Sequence, residues 1–283
     1  MRTQTSATTR RRVLLGLGTG ATIGLAGCAG NGDDGSDGGD GGNGGDGGDG
    51  GDGDDGGDGG DGGDGGDGDD GGDAGTATVR AAHMSPNAPN VDVLVDGSAA
   101  LEDVPFGAVS EYLEVPAGER EVEITAAGDP EASVFSGAVP VEADAEYTVA
   151  AIGEVGEDAD QAFEPLVLED DNSDPGSDTA RVRLVHASPD APAVDVTVGE
   201  SGDALFDGAE FGDASYAEVP AGEYTLDVRG DSESNDGDVA ASFDVDLAGG
   251  GVYTAFAAGY LTPDDEPADT PFDLIVSTDA GGM

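Results

Sequence analysis

Ala81–Pro89 reads Ala-Ala-His-Met-Ser-Pro-Asn-Ala-Pro, and Leu184–Pro192 reads Leu-Val-His-Ala-Ser-Pro-Asp-Ala-Pro. These phrases carry the only two histidines of the 283-residue chain. The correspondence runs on beyond them. Val91-Asp92-Val93 answers Val194-Asp195-Val196, Phe106-Gly107 answers Phe211-Gly212, and Tyr147-Thr148 answers Tyr253-Thr254. Glu114–Glu119 (Glu-Val-Pro-Ala-Gly-Glu) returns unchanged as Glu218–Glu223. Order and spacing both hold, so the chain contains two like modules. Two units of about 95 residues are domains and not the many short repeats of a solenoid.

Within each module the apolar period is two. Val194, Val196 and Val198 fall on one face of a strand, with Asp195 and Thr197 on the other. Tyr224–Val228, Ser242–Leu247 and Phe272–Val276 read the same way, as do Val91–Val95, Glu121–Thr125, Tyr147–Ile152 and Phe163–Leu168. Pro-Ala-Gly, Gly-Asp and Asp-Gly punctuate the gaps. The expectation is an all-β protein of two tandem immunoglobulin-like β-sandwiches, each of about seven short strands. Tyr147 and Tyr253 stand at the start of a late strand, where immunoglobulin-like folds carry a tyrosine corner or where a plain core tyrosine would serve. The modules are placed at residues 77–170 and 180–280, separately cored, with a hinge linker at 171–179.

The first 27 residues contain no acid. Arg10, Arg11 and Arg12 precede a modest apolar run that ends at Gly27, too short for a membrane-spanning helix of about 20 residues. Thr9–Leu14 resembles a twin-arginine export signal with Arg10 and Arg11 as its pair, and Leu25-Ala26-Gly27-Cys28 resembles a lipobox. The implied product is an exported protein, cleaved before Cys28 and anchored by lipid on that thiol, facing the extracellular side. Cys28 is the only cysteine, which leaves none for a disulfide or a thiolate metal site. Residues 28–76 follow as a disordered Gly/Asp linker, with nothing apolar between Gly32 and Asp73 to build a core.

The formal net charge is −53, and all basic residues are Arg. Such a surface repels nucleic acid and anionic lipid headgroups. It also opposes compaction unless salt screens it, over about 3 Å at 1 M ionic strength. In this the chain resembles proteins of extreme halophiles, haloarchaeal lipoproteins among them, while an ordinary acidic secreted protein stays open as an alternative.

Both modules resemble the family named domain of unknown function 4397, on Val182–Val196 and Val219-Pro220-Ala221-Gly222 and their counterparts in the first copy. The first copy departs at Ala82 and Met84, where the second has Val185 and Ala187. The resemblance implies surface or extracellular proteins, often with tandem copies, and no established activity.

For the repeated phrase two readings stand. In one, the imidazole hydrogen-bonds a rigid proline-locked turn. In the other, His83, Ser85 and Asp92, and likewise His186, Ser188 and Asp195, form a rim site for a solute or cation. Catalysis has little support. His186 and Ser188 are two positions apart on an extended chain, and no G-x-S-x-G elbow or H-E-x-x-H motif occurs. The expectation is therefore no enzyme, no cofactor and no resident metal: a surface protein for envelope structure or adhesion in high salt, partnered by the membrane through Cys28 and by an envelope protein or polysaccharide. The alternative is an extracellular solute- or cation-binding lipoprotein using the His-x-Ser-Pro-x-x-Pro loops.

Overall fold

A computed structural model describes residues 75–157 and 159–281. The segment read as an export signal, with Arg10, Arg11 and Cys28, and nearly all of the expected Gly/Asp linker lie outside these residues. The first copy consists of β1 (Thr76–His83), β2 (Val91–Val95), β3 (Ser98–Val104), β4 (Leu113–Pro116), β5 (Gly118–Ala126), β6 (Asp129–Val141), β7 (Glu146–Ile152) and β8 (Glu164–Glu169). The second consists of β9 (Thr179–His186), β10 (Val194–Val198), β11 (Ala204–Ala209), β12 (Ala214–Pro220), β13 (Gly222–Gly230), β14 (Val239–Leu247), β15 (Val252–Ala258) and β16 (Asp273–Ala280). A single 3-10 turn at Pro263–Asp265 is the one helical element among the described residues.

Each copy folds its eight strands, one more than expected, into two four-stranded sheets. In the first copy the orders are β4-β1-β7-β8 and β3-β2-β5-β6; in the second they are β12-β9-β15-β16 and β11-β10-β13-β14. Strand β1 pairs with β7 in parallel, as β9 does with β15, and every other pairing is antiparallel. The topology is thus duplicated strand for strand.

The period-two pattern explains what each sheet buries. Ala180, Val182 and Leu184 of β9 join Tyr253, Ala255 and Ala257 of β15, and these meet Val194, Val196, Leu226 and Val228 from the facing sheet in one core. The first copy has a thinner version: Ala77 and Tyr147 pack on Val139 and Val141, while Val91, Val104 and Ile124 form a second small cluster. Tyr147 and Tyr253 close their sandwiches in the same manner. The Tyr147 hydroxyl accepts the Glu142 backbone N–H at 3.2 Å, and the Tyr253 hydroxyl accepts that of Ala248 at 3.0 Å.

The expectation of wholly separate cores needs correction. The other faces of β1, β7, β9 and β15 are not solvated but packed against one another. Ala82, Met84, Ala150 and Ile152 from the first copy form one buried cluster with Val185, Ala187, Phe256 and Ala258 from the second. Beside it lies a buried polar network. Arg80 meets Asp279 at 2.6 Å and Arg183 meets Asp170 at 2.6 Å, all four side chains being 2 % exposed or less. The Arg80 Nε donates to Thr148 at 2.9 Å and the Arg183 Nε to Thr254 at 3.0 Å. Their guanidinium groups lie over the rings of Tyr112 and Tyr216, at 4.9 and 5.3 Å from the centroids.

The segment between the copies is held to this seam. Asn172 donates to the Tyr112 hydroxyl at 3.1 Å, and the Asp171 N–H donates to that of Tyr216 at 3.1 Å. Arg181 grips the carbonyls of Asp171 and Ser173.

Candidate functional site

The His-x-Ser-Pro-x-x-Pro phrase leaves the end of β1, and of β9, and turns into the next strand. In each copy the imidazole spans the turn from inside. The His83 Nε2–H donates to the Pro89 carbonyl at 3.0 Å, and His83 Nδ1 accepts the Ser85 N–H at 3.4 Å. His186 repeats this on Pro192 at 3.0 Å and Ser188 at 3.3 Å. A carbonyl can only accept, so the proton sits on Nε2 and Nδ1 is left as the acceptor. Both rings are fully buried, edge-on to Phe106 and Phe211. Burial holds both histidines below the ordinary imidazole pKa, against a weaker upward pull from the proline carbonyls.

The serines do not act on the imidazoles. The backbone N–H meets the ring, whereas the Ser188 hydroxyl donates to the Gly259 carbonyl at 2.6 Å and lies 3.1 Å from Asp190. Activation of a hydroxyl nucleophile would require the reverse arrangement. The Ser85 hydroxyl is buried without a hydrogen-bond partner. Asp190 fastens the loop after β15, accepting the N–H groups of Leu261 and Thr262 at 2.9 Å each. Asn87 does the same after β7, with a reciprocal pair of bonds to Val155.

Asp92 and Asp195 are occupied elsewhere. Asp92 accepts the N–H groups of Asp103 at 2.8 Å and Gly128 at 3.0 Å, which lower its pKa. Asp195, wholly buried, accepts those of Gly208 at 2.8 Å and Ser232 at 3.0 Å. Each thereby ties two neighbouring hairpins to its strand.

At Asp195 the copies diverge. Asp207 and Asp231 each bring a carboxylate oxygen into a group with that of Asp195, all within 4.8 Å of one another, a spacing that could hold a cation. Oriented as a donor, the Asn235 amide reaches Asp207 at 2.9 Å and Asp195 at 3.1 Å and satisfies the same oxygens. Only Asp195 of this group stood out in the sequence. The available signal was the acidic insertion Asp231–Asp238 between β13 and β14, where the first copy makes a tight turn at Ala127-Gly128.

Residues 77–197 match the family described as "Domain of unknown function (DUF4397)". A DUF4397 domain is present in this chain. The matched span passes the end of β8 and includes β9 and most of β10, so it holds the His-Ser-Pro phrase of both copies. No curated protein matches. Among solved structures, "The Bacillus anthracis TIE protein" is similar at 9% identity and a TM-score of 0.21, covering 65% of this chain and 34% of that one. This chain thus spans about a third of that protein's length. A family CBM26 module, CBMbc of Eubacterium rectale Amy13K in complex with maltoheptaose, is similar at 10% identity and TM-score 0.20, covering 73% of this chain and 98% of the module. The structure titled "Alpha-glucan binding by a streptococcal virulence factor" is similar at 13% identity and TM-score 0.21, covering 64% and 92%. Scores this low carry no argument about function.

Proposed function

We propose that the protein is a non-enzymatic, lipid-anchored surface protein of a salt-rich environment, exported through the twin-arginine route and held by lipid at Cys28. Its acidic linker presents a rigid two-copy head, each copy an immunoglobulin-like sandwich, for envelope structure or adhesion. The observation that carries this reading is that both repeated phrases are closed on themselves. Each imidazole spends both nitrogens on its own turn and is shut off from solvent, which is the work of a structural staple.

The surface supports a neutral or cationic partner over an anionic one. Arg80, Arg120, Arg181, Arg183 and Arg229 are all paired with carboxylates. Glycan binding by ring stacking has only half-buried rings to use, because no aromatic side chain among the described residues is fully exposed. The half-buried Tyr224 borders an open groove of about 560 Å³ beside Glu223 and Asp244, its hydroxyl donating to the Pro220 carbonyl.

The second reading, cation binding by an extracellular lipoprotein, is favoured by Asp195, Asp207 and Asp231 and not by the histidine turns. One experiment separates the two. Calcium titration and melting of two variants are compared: His83→Gln with His186→Gln is expected to lower the melting temperature and leave any calcium isotherm unchanged, whereas a parent isotherm that Asp207→Asn with Asp231→Asn abolishes at an unchanged melting temperature would favour the second reading. Cys28→Ser is expected to release the protein from washed membranes into the medium, and retention in the membrane fraction would sink the anchor.

A further inference from the structure

The seam between the copies holds two kinds of contact that differ in symmetry. The polar set is repeated: Arg80, Tyr112 and Thr148 of the first copy occupy the places of Arg183, Tyr216 and Thr254 in the second. Asp170 and Asp279 play matching parts, each reaching across to the other copy's arginine.

The apolar set is only partly repeated: Phe106 and Phe211, like Leu166 and Ile275, are large in both copies, whereas the fully buried positions alternate. Ala82 on β1 corresponds to Val185 on β9, and Met84 just beyond β1 to Ala187 just beyond β9. On β7 and β15, Ala150 corresponds to Phe256 and Ile152 to Ala258, counted from the shared Tyr-Thr pair. At each of these positions one copy has a small side chain and the other a large one. All are 2 % exposed or less and belong to one cluster. On the neighbouring strands the exchange recurs at one position, where Leu168 pairs with Thr148 and Ser277 with Thr254. Ser277 uses its small size to accept Arg80 Nη1 at 3.1 Å.

Interiors pack to the density of organic crystals, so the fit of two faces depends on the volume at each position. A face set against its own replica would bring Met84 and Ile152 from both sides, or Val185 and Phe256 from both sides, with voids where small residues meet. We propose that the seam is a pairing code. The shared Arg-Tyr-Thr-Asp set orients the two faces, and the alternating apolar set admits the first copy only against the second. Either face therefore fits the opposite copy, in its own chain or a neighbouring one, and rejects its own kind. Where many chains stand side by side, this keeps like copies from pairing with each other. The pairing needs neither anchor, linker nor ligand.

The test exchanges the sizes in the full-length chain in molar salt. One half-swap, A82V/M84A/A150F/I152A, gives the first copy the second copy's face. The other, V185A/A187M/F256A/A258I, does the converse. The full swap combines all eight. Each half-swap is expected to lower the melting temperature, and the full swap to melt closer to the parent than either half, because complementarity is restored with the roles exchanged. Half-swaps that melt with the parent would overturn the code. So would a full swap whose loss equals or exceeds the sum of the two halves. Where a half-swap does not fold, the full swap alone decides: folding with a parent-like melting temperature supports the code, and failure to fold overturns it.

Discussion

The two histidines set a pH dependence that can be signed. Burial lowers both pKa values below the ordinary imidazole range, so the folded chain resists a proton that the unfolded chain accepts near pH 6.5. Stability is then fully present above that pH and falls as the pH drops through it. Asp279 runs the other way. Burial raises its carboxyl, Arg80 offsets this only in part, and acidification favours the folded form at that group. Melting curves at fixed molar salt should shift down between pH 7 and pH 5, and the shift should shrink in the His83→Gln/His186→Gln variant. An equal shift in parent and variant would assign the pH dependence to other groups. The histidine turns were legible from sequence as one of two open readings, because a ring ending an apolar face before a Pro-x-x-Pro turn has few partners but backbone. Of the cation-sized group only Asp195 was legible, through the repeated phrase; Asp207 and Asp231 were not, since carboxylates are too common in this chain for either to stand out.

At the scale of elements, burial of one face forces alternation, most plainly in strands between two neighbours, although the edge strands β8, β14 and β16 were also recognised from sequence. Central strands β2, β5, β7, β10 and β13 lie between two neighbours and showed the pattern plainly. Strands β3, β4, β6, β11 and β12, which do not stand out in the sequence, are all sheet edges. An edge strand such as Ser98–Val104 is mostly exposed and has no strict apolar period to display. The polar half of the seam makes its own prediction here. Removing one partner of a buried ion pair leaves the other charged and unsolvated, a cost of about 3–5 kcal/mol. Asp170→Ala should destabilise the head by that order, leaving Arg183 with only the more distant Asp279 carboxylate at 4.0 Å, and chemical denaturation would measure it. A loss below about 1 kcal/mol, the range of exposed pairs, would mean that water reaches the seam.

For the whole molecule, the net charge of −53 governs the response to salt. Repulsion among exposed carboxylates is screened at molar ionic strength, whereas buried pairs such as Arg80–Asp279 are screened far less. Dilution from 4 M to 0.1 M salt should therefore lower the melting temperature steeply. The first copy, whose core is thinner, should loosen first. Circular dichroism melts that coincide at the two salt concentrations would contradict this, and hydrogen exchange would report which copy opens.

The sequence by itself determined the duplication, the period-two strands, the proline turns and the acidic surface, because each is written in neighbouring residues or in spacings that repeat. Only the tertiary structure decided what covers the second face of β1, β7, β9 and β15. Alternation says that a face differs from its opposite, not what it meets. In a strand read alone, Arg80 and Arg183 pass for solvent-facing positions, and Met84 and Phe256 for incidental apolar ones. Their role depends on partners in the other copy, Asp279 for Arg80 and Asp170 for Arg183 among them, and such a contact exists only once both copies have folded and closed on each other.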